Sequence, residues 1–124
     1  MAKATISVTS LRLLADDLTG ALDTAAELVG ITGPVHAFWH GAIPSVLPAN
    51  AALDTGTREL DIASAVRIVS ELAPVLNGAA IPFKKIDSLM RGPTLAEVAA
   101  CARHARATRR QTRAAASCAA RAIY

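Results

Sequence analysis

The sequence predicts an α/β fold, a Rossmann-like parallel sheet with flanking helices. Short apolar runs alternate with segments of helical periodicity, a pattern typical of βαβ units. Apolar residues make up 52% of the 124 residues and aromatic residues only 3%, so the core is built from aliphatic side chains. The chain is long enough for one domain with a sizeable core.

The first strand and helix are predicted from an abrupt change of pattern. Residues 11–15 form a short apolar run that stops at Asp16-Asp17. From Thr19 to Val29 the apolar residues recur at helical spacing. Glycines at positions 30 and 33 then indicate the end of the helix.

The same reasoning predicts the remaining elements. These are strands at residues 35–39, 51–53 and 79–86, and helices at residues 61–76 and from residue 94 onward. Asp61 or Ser64 is a candidate cap for the second helix. Glu97 follows Thr94 by three residues, which predicts a capping box at the start of the third helix.

Charged and hydroxylated residues follow three of the predicted strands, in residues 16–17, 54–58 and 84–91. Because ligands of open parallel sheets gather at the carboxyl ends of strands, these segments are expected to converge on one edge. Each segment also has a plainer interpretation. Asp17 could simply cap a helix, Arg58 could pair with a neighbouring acid, and residues 84–91 could be a solvated turn.

Together the three segments resemble those of the four-carbon acid sugar kinases. That family carries Asp-Asp-Leu-Thr-Gly-Ala…Asp-Thr-Ala, then Thr-x-Ser/Thr-Arg, then Lys-Lys-Ile-Asp-Ser-Thr-Leu-Arg-Gly. Here residues 16–25, 55–58 and 84–92 match in the same order. Leu89-Met90 departs from the family's Thr-Leu. The resemblance covers residues 12 to about 100 and implies a sugar-acid-binding domain, incomplete relative to the family's N-terminal domain.

The resemblance implies a role for each matching residue. Asp16 and Asp17 would face sugar hydroxyls, with Asp17 as the catalytic residue that positions the attacking hydroxyl. Arg58 would pair with the carboxylate or the transferring phosphate, as would the cations of the third segment. The substrate-binding residues implied there are Lys85, Asp87, Ser88 and Arg91.

The resemblance also implies the cofactors ATP and Mg²⁺, with the nucleotide held by a separate C-terminal domain. No glycine-rich phosphate loop occurs in the sequence. We therefore expect the chain to be the substrate-binding part of such a kinase, inactive without a nucleotide-binding domain as its partner. No metal site of its own is predicted, because His36 and His40 have no third ligand beside them.

Residues 101–124 differ in composition from residues 1–100. The first 100 residues hold all ten acidic residues, whereas the last 24 hold six arginines and no acid. We predict a domain at 1–100 and an Ala/Arg-rich tail at 101–124, and we interpret the tail as frameshifted or otherwise foreign sequence. A nucleic-acid-binding arm is not expected, because no aromatic residues interleave the arginines.

Two other interpretations stay open from the sequence. One is a phosphoacceptor receiver domain, with Asp54 as acceptor and Lys84 or Lys85 as the phosphate-contacting lysine. The other is a non-functional fragment with an open sheet edge.

No membrane span or secretory leader is predicted, so the expected location is the cytoplasm. The ligand that the family resemblance implies is a small sugar acid.

Overall fold

The computed structural model describes the backbone of residues 10–121 and the side chains of residues 10–111. Strands and helices alternate along it, as the sequence predicts. In chain order the elements are β1 (Leu11–Ala15), α1 (Leu18–Thr32), β2 (His36–Phe38), β3 (Ala51–Asp54), α2 (Ile62–Leu72), a single 3-10 turn (Ala73–Leu76), β4 (Ile81–Lys85) and α3 (Thr94–Arg121).

The four strands form one parallel sheet in the order β2-β3-β1-β4. The sheet with its three helices confirms the predicted α/β, Rossmann-like class. Ala15 pairs with Asp54 on one side and with Lys85 on the other. The carboxyl ends of β1, β3 and β4 are therefore level, and the loops that follow them start side by side.

The two faces of the sheet bury different side chains, because side chains alternate along a strand. Leu11 and Leu13 of β1 form a core with Ala21 and Ala25 of α1. Leu14 and Leu53 are fully buried and point to the opposite face. Helices α2 and α3, which pack on each other, cover that second face.

Local signals explain where two helices begin and end. Asp17 caps α1 by accepting a hydrogen bond from the N–H of Gly20 at 2.9 Å. Asp61 caps α2 in the same way through the N–H of Ser64 at 3.0 Å. α1 ends at Gly33, whose φ of 76° is the left-handed conformation that glycine adopts without strain.

The predicted helix at 61–76 is shorter in the structure. Helix α2 ends at Leu72, and a 3-10 turn containing Pro74 follows it. Proline has no N–H to donate, and its ring clashes with the preceding turn, so the α-helical hydrogen bonding cannot continue through it.

Helix α3 runs without a break through the domain boundary that we predicted near residue 100. The division at that residue and the origin of residues 101–124 stay predictions. None of the helices in residues 10–121 combines the length and apolarity that crossing a bilayer requires.

Candidate functional site

Arg58 and Asp16 form the centre of a charged cluster at the carboxyl ends of the strands. Asp16 follows β1 and is buried. Arg58 donates from Nε to its Oδ2 at 3.1 Å and from Nη2 to its Oδ1 at 3.2 Å. This two-point hydrogen bonding raises the pKa of Arg58. The backbone N–H of Arg58 also donates to the carbonyl of Asp16 at 3.3 Å, so side chain and main chain fix the same contact.

The guanidinium of Arg58 contacts two further carboxylates. Its Nη2 lies 3.1 Å from Oδ1 of Asp17 and 3.4 Å from Oδ1 of Asp87. Only 16% of the Arg58 side chain is exposed. One arginine therefore joins the loops that follow β1, β3 and β4, and most of its hydrogen-bonding capacity is already used.

Asp87 organises the loop between β4 and α3. Arg91 donates to its carboxylate from Nε at 2.7 Å and from Nη2 at 2.9 Å. The backbone N–H groups of Leu89 and Arg91 donate to the same carboxylate. These bonds, with the Arg91 side chain as the strongest, hold the pKa of the Asp87 carboxyl well below its usual range. Unlike Arg58, the Arg91 side chain is 60% exposed.

These residues enclose a cleft of about 210 Å³. Its walls differ in charge. Asp17 and Asp23 lie on the side of α1, whereas Lys85 and Arg91, with Asp87 between them in sequence, lie on the side of β4 and its following loop, where the cations outnumber the single carboxylate. The lining residues are Asp17, Thr19, Gly20, Asp23, Arg58, Lys85, Asp87, Ser88 and Arg91. A cleft of this size suits a small, polar ligand that carries both hydroxyl groups and a negative charge.

Gly20 gives the cleft its shape at the start of α1. A Cβ atom at this position would lie 2.7 Å from Oδ1 of Asp17, which is closer than van der Waals contact permits. The side chain of Lys85 lies against the same glycine. A larger residue at position 20 would therefore displace the Asp17 carboxylate from its place at the start of α1.

A second cleft, of about 300 Å³, adjoins the first on the side of β3. It is lined by Asp16, Asp17 and Asp54, among others. Burial raises the pKa of Asp54, and the nearby Asp17 carboxylate adds to that effect. The accumulation of carboxylates makes this second cleft a poor place for an anion.

All seven predicted site residues come together at this edge of the sheet. Six of them line the first cleft, and Asp16 lies beneath it as the buried partner of Arg58. The roles proposed for them stay predictions. Asp17 both caps α1 and lines the first cleft. Its interpretation as a helix cap is therefore compatible with its interpretation as a site residue. Arg58 pairs with acids from other loops rather than with Glu59 or Asp61.

Thr19 and Asp23 also line the first cleft, although they were not among the predicted site residues. They are four residues apart on α1, which places them on one face of the helix beside Asp17. This four-residue spacing could have identified both residues as part of the site from the sequence. Leu89 and Met90, where the sequence departs from the family, lie outside the cleft lining, so the missing hydroxyl does not remove a cleft residue.

The predicted capping box at Thr94 and Glu97 is wrong. The hydroxyl of Thr94 donates to the carbonyl of Arg91 at 3.0 Å. Glu97 is buried and accepts a hydrogen bond from the hydroxyl of Thr57 at 2.9 Å, while Lys84 lies 3.3 Å from the same oxygen. Longer-range partners outcompete the local cap, because a buried carboxylate needs a cation nearby.

The receiver interpretation requires a lysine beside Asp54. Lys84 lies on the other face of the sheet, paired with Glu97, and Asp54 itself accepts a hydrogen bond from the N–H of Gly56 at 2.8 Å. Lys85 lines the first cleft, whereas Asp54 lines the second. The structure thus separates the groups that a receiver domain would bring together.

The carboxylates of the site do not fit a protein-held Mg²⁺ ion. Asp16 and Asp87 are each bound by an arginine through both oxygens. No group of three or more His, Cys, Asp or Glu side chains suited to a metal occurs among the residues that the structure describes.

The profile of one protein family, described as the sugar-binding N-terminal domain, matches residues 11–122. The match includes the three loops that build the charged cluster and the whole of α3. It agrees with the N-terminal domain of the four-carbon acid sugar kinases, the family that the three sequence motifs resemble. No curated protein and no solved structure gives a significant match to the chain.

Proposed function

Because the chain belongs to the family of sugar-binding N-terminal domains, we propose that the first cleft binds a four-carbon sugar acid of the tetronate type. In this proposal the cleft is the acceptor site of an ATP-dependent phosphoryl transfer. The observation that carries the proposal is the cleft's division into an acidic and a cationic wall. A polyhydroxy acid presents hydroxyl groups to the one and a carboxylate to the other.

The cationic wall supplies the carboxylate site. Lys85 and Arg91 line the cleft together with the hydroxyl of Ser88. Arg91 has 60% of its side chain exposed, so part of its donor capacity remains open to a ligand. Charge-assisted hydrogen bonds to a carboxylate are about twice as strong as neutral ones. This wall therefore favours a sugar acid over the corresponding sugar alcohol.

The acidic wall supplies the hydroxyl site. Asp17 keeps 27% of its side chain exposed, and Asp23 lies on the same face of α1. Carboxylate oxygens accept hydrogen bonds from sugar hydroxyls. ATP bound by a second domain would supply the γ-phosphoryl group to the terminal hydroxyl of the sugar acid, with ADP as the leaving group. Asp17 accepts the proton of that hydroxyl.

Arg58 has a different part in this proposal from the one that the family resemblance implied. Its Nε and Nη2 atoms are shared among Asp16, Asp17 and Asp87, which leaves only Nη1 to donate to a substrate. We assign it the task of holding these three carboxylates in place.

The nucleotide and its Mg²⁺ ion, in this proposal, are bound by a second domain that faces the cleft, and residues 10–121 alone catalyse no transfer.

Calorimetric titration with threonate and erythronate tests the proposal, with erythritol as a matched ligand that lacks the carboxylate. We expect the acids to bind and erythritol not to bind. The Lys85→Met variant should weaken acid binding by about tenfold or more, the value of one charge-assisted hydrogen bond. Arg67→Met is the control, because Arg67 forms an exposed pair with Glu71 on α2.

Two outcomes would contradict the proposal. One is equal binding of erythritol and the acids, which would remove the cationic wall from recognition. The other is the absence of acid binding at millimolar concentration. Binding of beryllofluoride with Mg²⁺ would instead support a receiver-type phosphoacceptor site.

A further inference from the structure

Glu97 lies in the first turn of α3 and is 1% exposed. It contributes nothing to either cleft, yet it has two charged or polar partners from distant parts of the chain, Thr57 and Lys84. We infer that Glu97 is a positioning residue, which fixes the side chains of the sugar-acid site from the opposite face of the sheet. This inference rests on the proposed function of the cleft.

The partners of Glu97 are the sequence neighbours of two site cations. Thr57 immediately precedes Arg58, and Lys84 immediately precedes Lys85. Because side chains alternate along a strand, a Lys84 held toward α3 directs Lys85 toward α1 and the cleft. One carboxylate therefore holds the residue immediately before each of the two cations.

The network continues from Thr57 to the end of β1. The hydroxyls of Thr55 and Thr57 are 2.7 Å apart, and that of Thr55 lies 3.0 Å from the carbonyl oxygen of Ala15. Ala15 immediately precedes Asp16. Both threonines are fully buried, so a series of buried polar contacts joins α3 to the residue before each of Asp16, Arg58 and Lys85. The two hydroxyls have two hydrogens for three oxygen–oxygen contacts, so they do not donate in all three at once.

Stability alone gives a weak reason for burying this ion pair. Lys84 and Glu97 have 11% and 1% of their side chains exposed, and the desolvation of such charges offsets most of their attraction. Oε2 of Glu97 is buried and has no hydrogen-bond partner among the residues that the structure describes. An apolar pair of similar volume would avoid that cost. Such a pair would offer no acceptor to the Thr57 hydroxyl. Orienting that hydroxyl is the function we assign to Glu97.

The experiment compares Glu97→Ala with Val69→Ala, a substitution at a fully buried α2 residue that is no part of the network. The first measurement needs no ligand. The Nε–H resonance of Arg58, which is held by Asp16, is recorded in ¹⁵N spectra. We expect it to shift and to exchange faster with solvent in Glu97→Ala, and to stay unchanged in Val69→Ala. The second measurement is threonate affinity, which should fall by about tenfold or more in Glu97→Ala only.

Glu97→Gln provides the conservative comparison. Its amide oxygen can still accept from Thr57, so the Arg58 resonance should return toward its native position. The double variant Glu97→Met with Lys84→Met removes both charges and the acceptor of Thr57 without leaving an unpaired ammonium. It keeps the test available if Glu97→Ala does not fold, and the Arg58 resonance should shift in it as in Glu97→Ala. Equal effects of Glu97→Ala and Val69→Ala on the Arg58 resonance would overturn the inference. Failure of the unsubstituted chain to bind threonate would overturn the proposed function, and the Arg58 resonance would still decide the role of Glu97.

Discussion

The backbone of Gly92 lies directly against the backbone of Arg58. A Cβ atom at position 92 would lie 2.5 Å from the carbonyl oxygen of Arg58 and 3.1 Å from its Cα. The loop after β4 can approach the turn after β3 only because residue 92 has no side chain. This approach brings Asp87 within reach of the Arg58 guanidinium.

Replacing Gly92 with alanine should therefore cost more than its backbone conformation alone explains. Gly92 has φ of 77° and Gly78 has φ of 75°, but a Cβ at Gly78 would meet nothing within 4 Å. Both substitutions incur the cost of a positive φ, about 1 kcal/mol. Gly92→Ala should lose a further ~1–2 kcal/mol because the loops must move apart. Urea unfolding of the two variants measures the difference, and equal losses would show that the contact is unimportant.

Removing Arg58 should destabilise the fold as well as the site. In Arg58→Ala three carboxylates face one another without their shared cation. We expect a loss of about 2–3 kcal/mol, somewhat below the cost of breaking a fully buried pair because the cleft is open to solvent. Arg67→Ala, which breaks only an exposed pair with Glu71, should change the free energy of unfolding by less than about 0.5 kcal/mol. Similar losses of unfolding free energy in the two variants would show that Arg58 stabilises the fold no more than an exposed ion pair does.

Asp17→Asn separates the capping role of Asp17 from its proposed role toward substrate. Asparagine caps helices about as well as aspartate, so the free energy of unfolding should fall by no more than about 1 kcal/mol, which allows for the weakened contact with Arg58. Threonate affinity should fall by about tenfold. The matched variant Asp61→Asn, at the cap of α2, should leave affinity unchanged. Full affinity in Asp17→Asn would leave Asp17 with a capping role alone.

The low pKa of Asp87 predicts a loss of stability in acid. Since the pKa of this carboxyl is lower in the folded than in the unfolded chain, its contribution is complete above the ordinary aspartate pKa of about 3.9. That contribution is lost as the pH falls below this value, because the unfolded chain takes up the proton first. The urea midpoint should fall more between pH 5 and pH 3 in the native sequence than in Asp87→Asn. Parallel pH profiles would show that Asp87 does not titrate in this way.

The convergence of the three loops could be predicted from the sequence, because the apolar runs stop at acidic or basic residues and parallel strands end at the same edge. The partners of Arg58 could not be predicted from the sequence. Whether its guanidinium meets a substrate or Asp16, Asp17 and Asp87 depends on distances across 29 to 42 positions of sequence separation. The prediction for Glu97 was wrong for the same reason. Its spacing from Thr94 indicates a local cap, whereas its partners in the structure, Thr57 and Lys84, lie elsewhere in the chain.

The most direct test of the account is to locate threonate on the protein by following backbone amide resonances during a titration. We expect saturable shifts that centre on Thr19, Gly20, Lys85 and Ser88, at the start of α1 and the carboxyl end of β4. A separate groove of about 430 Å³ lies between β4 and α3 and includes Leu76, Cys101 and His104. Shifts confined to that groove, or the absence of shifts at the carboxyl ends of the strands, would contradict the assignment of the sugar-acid site.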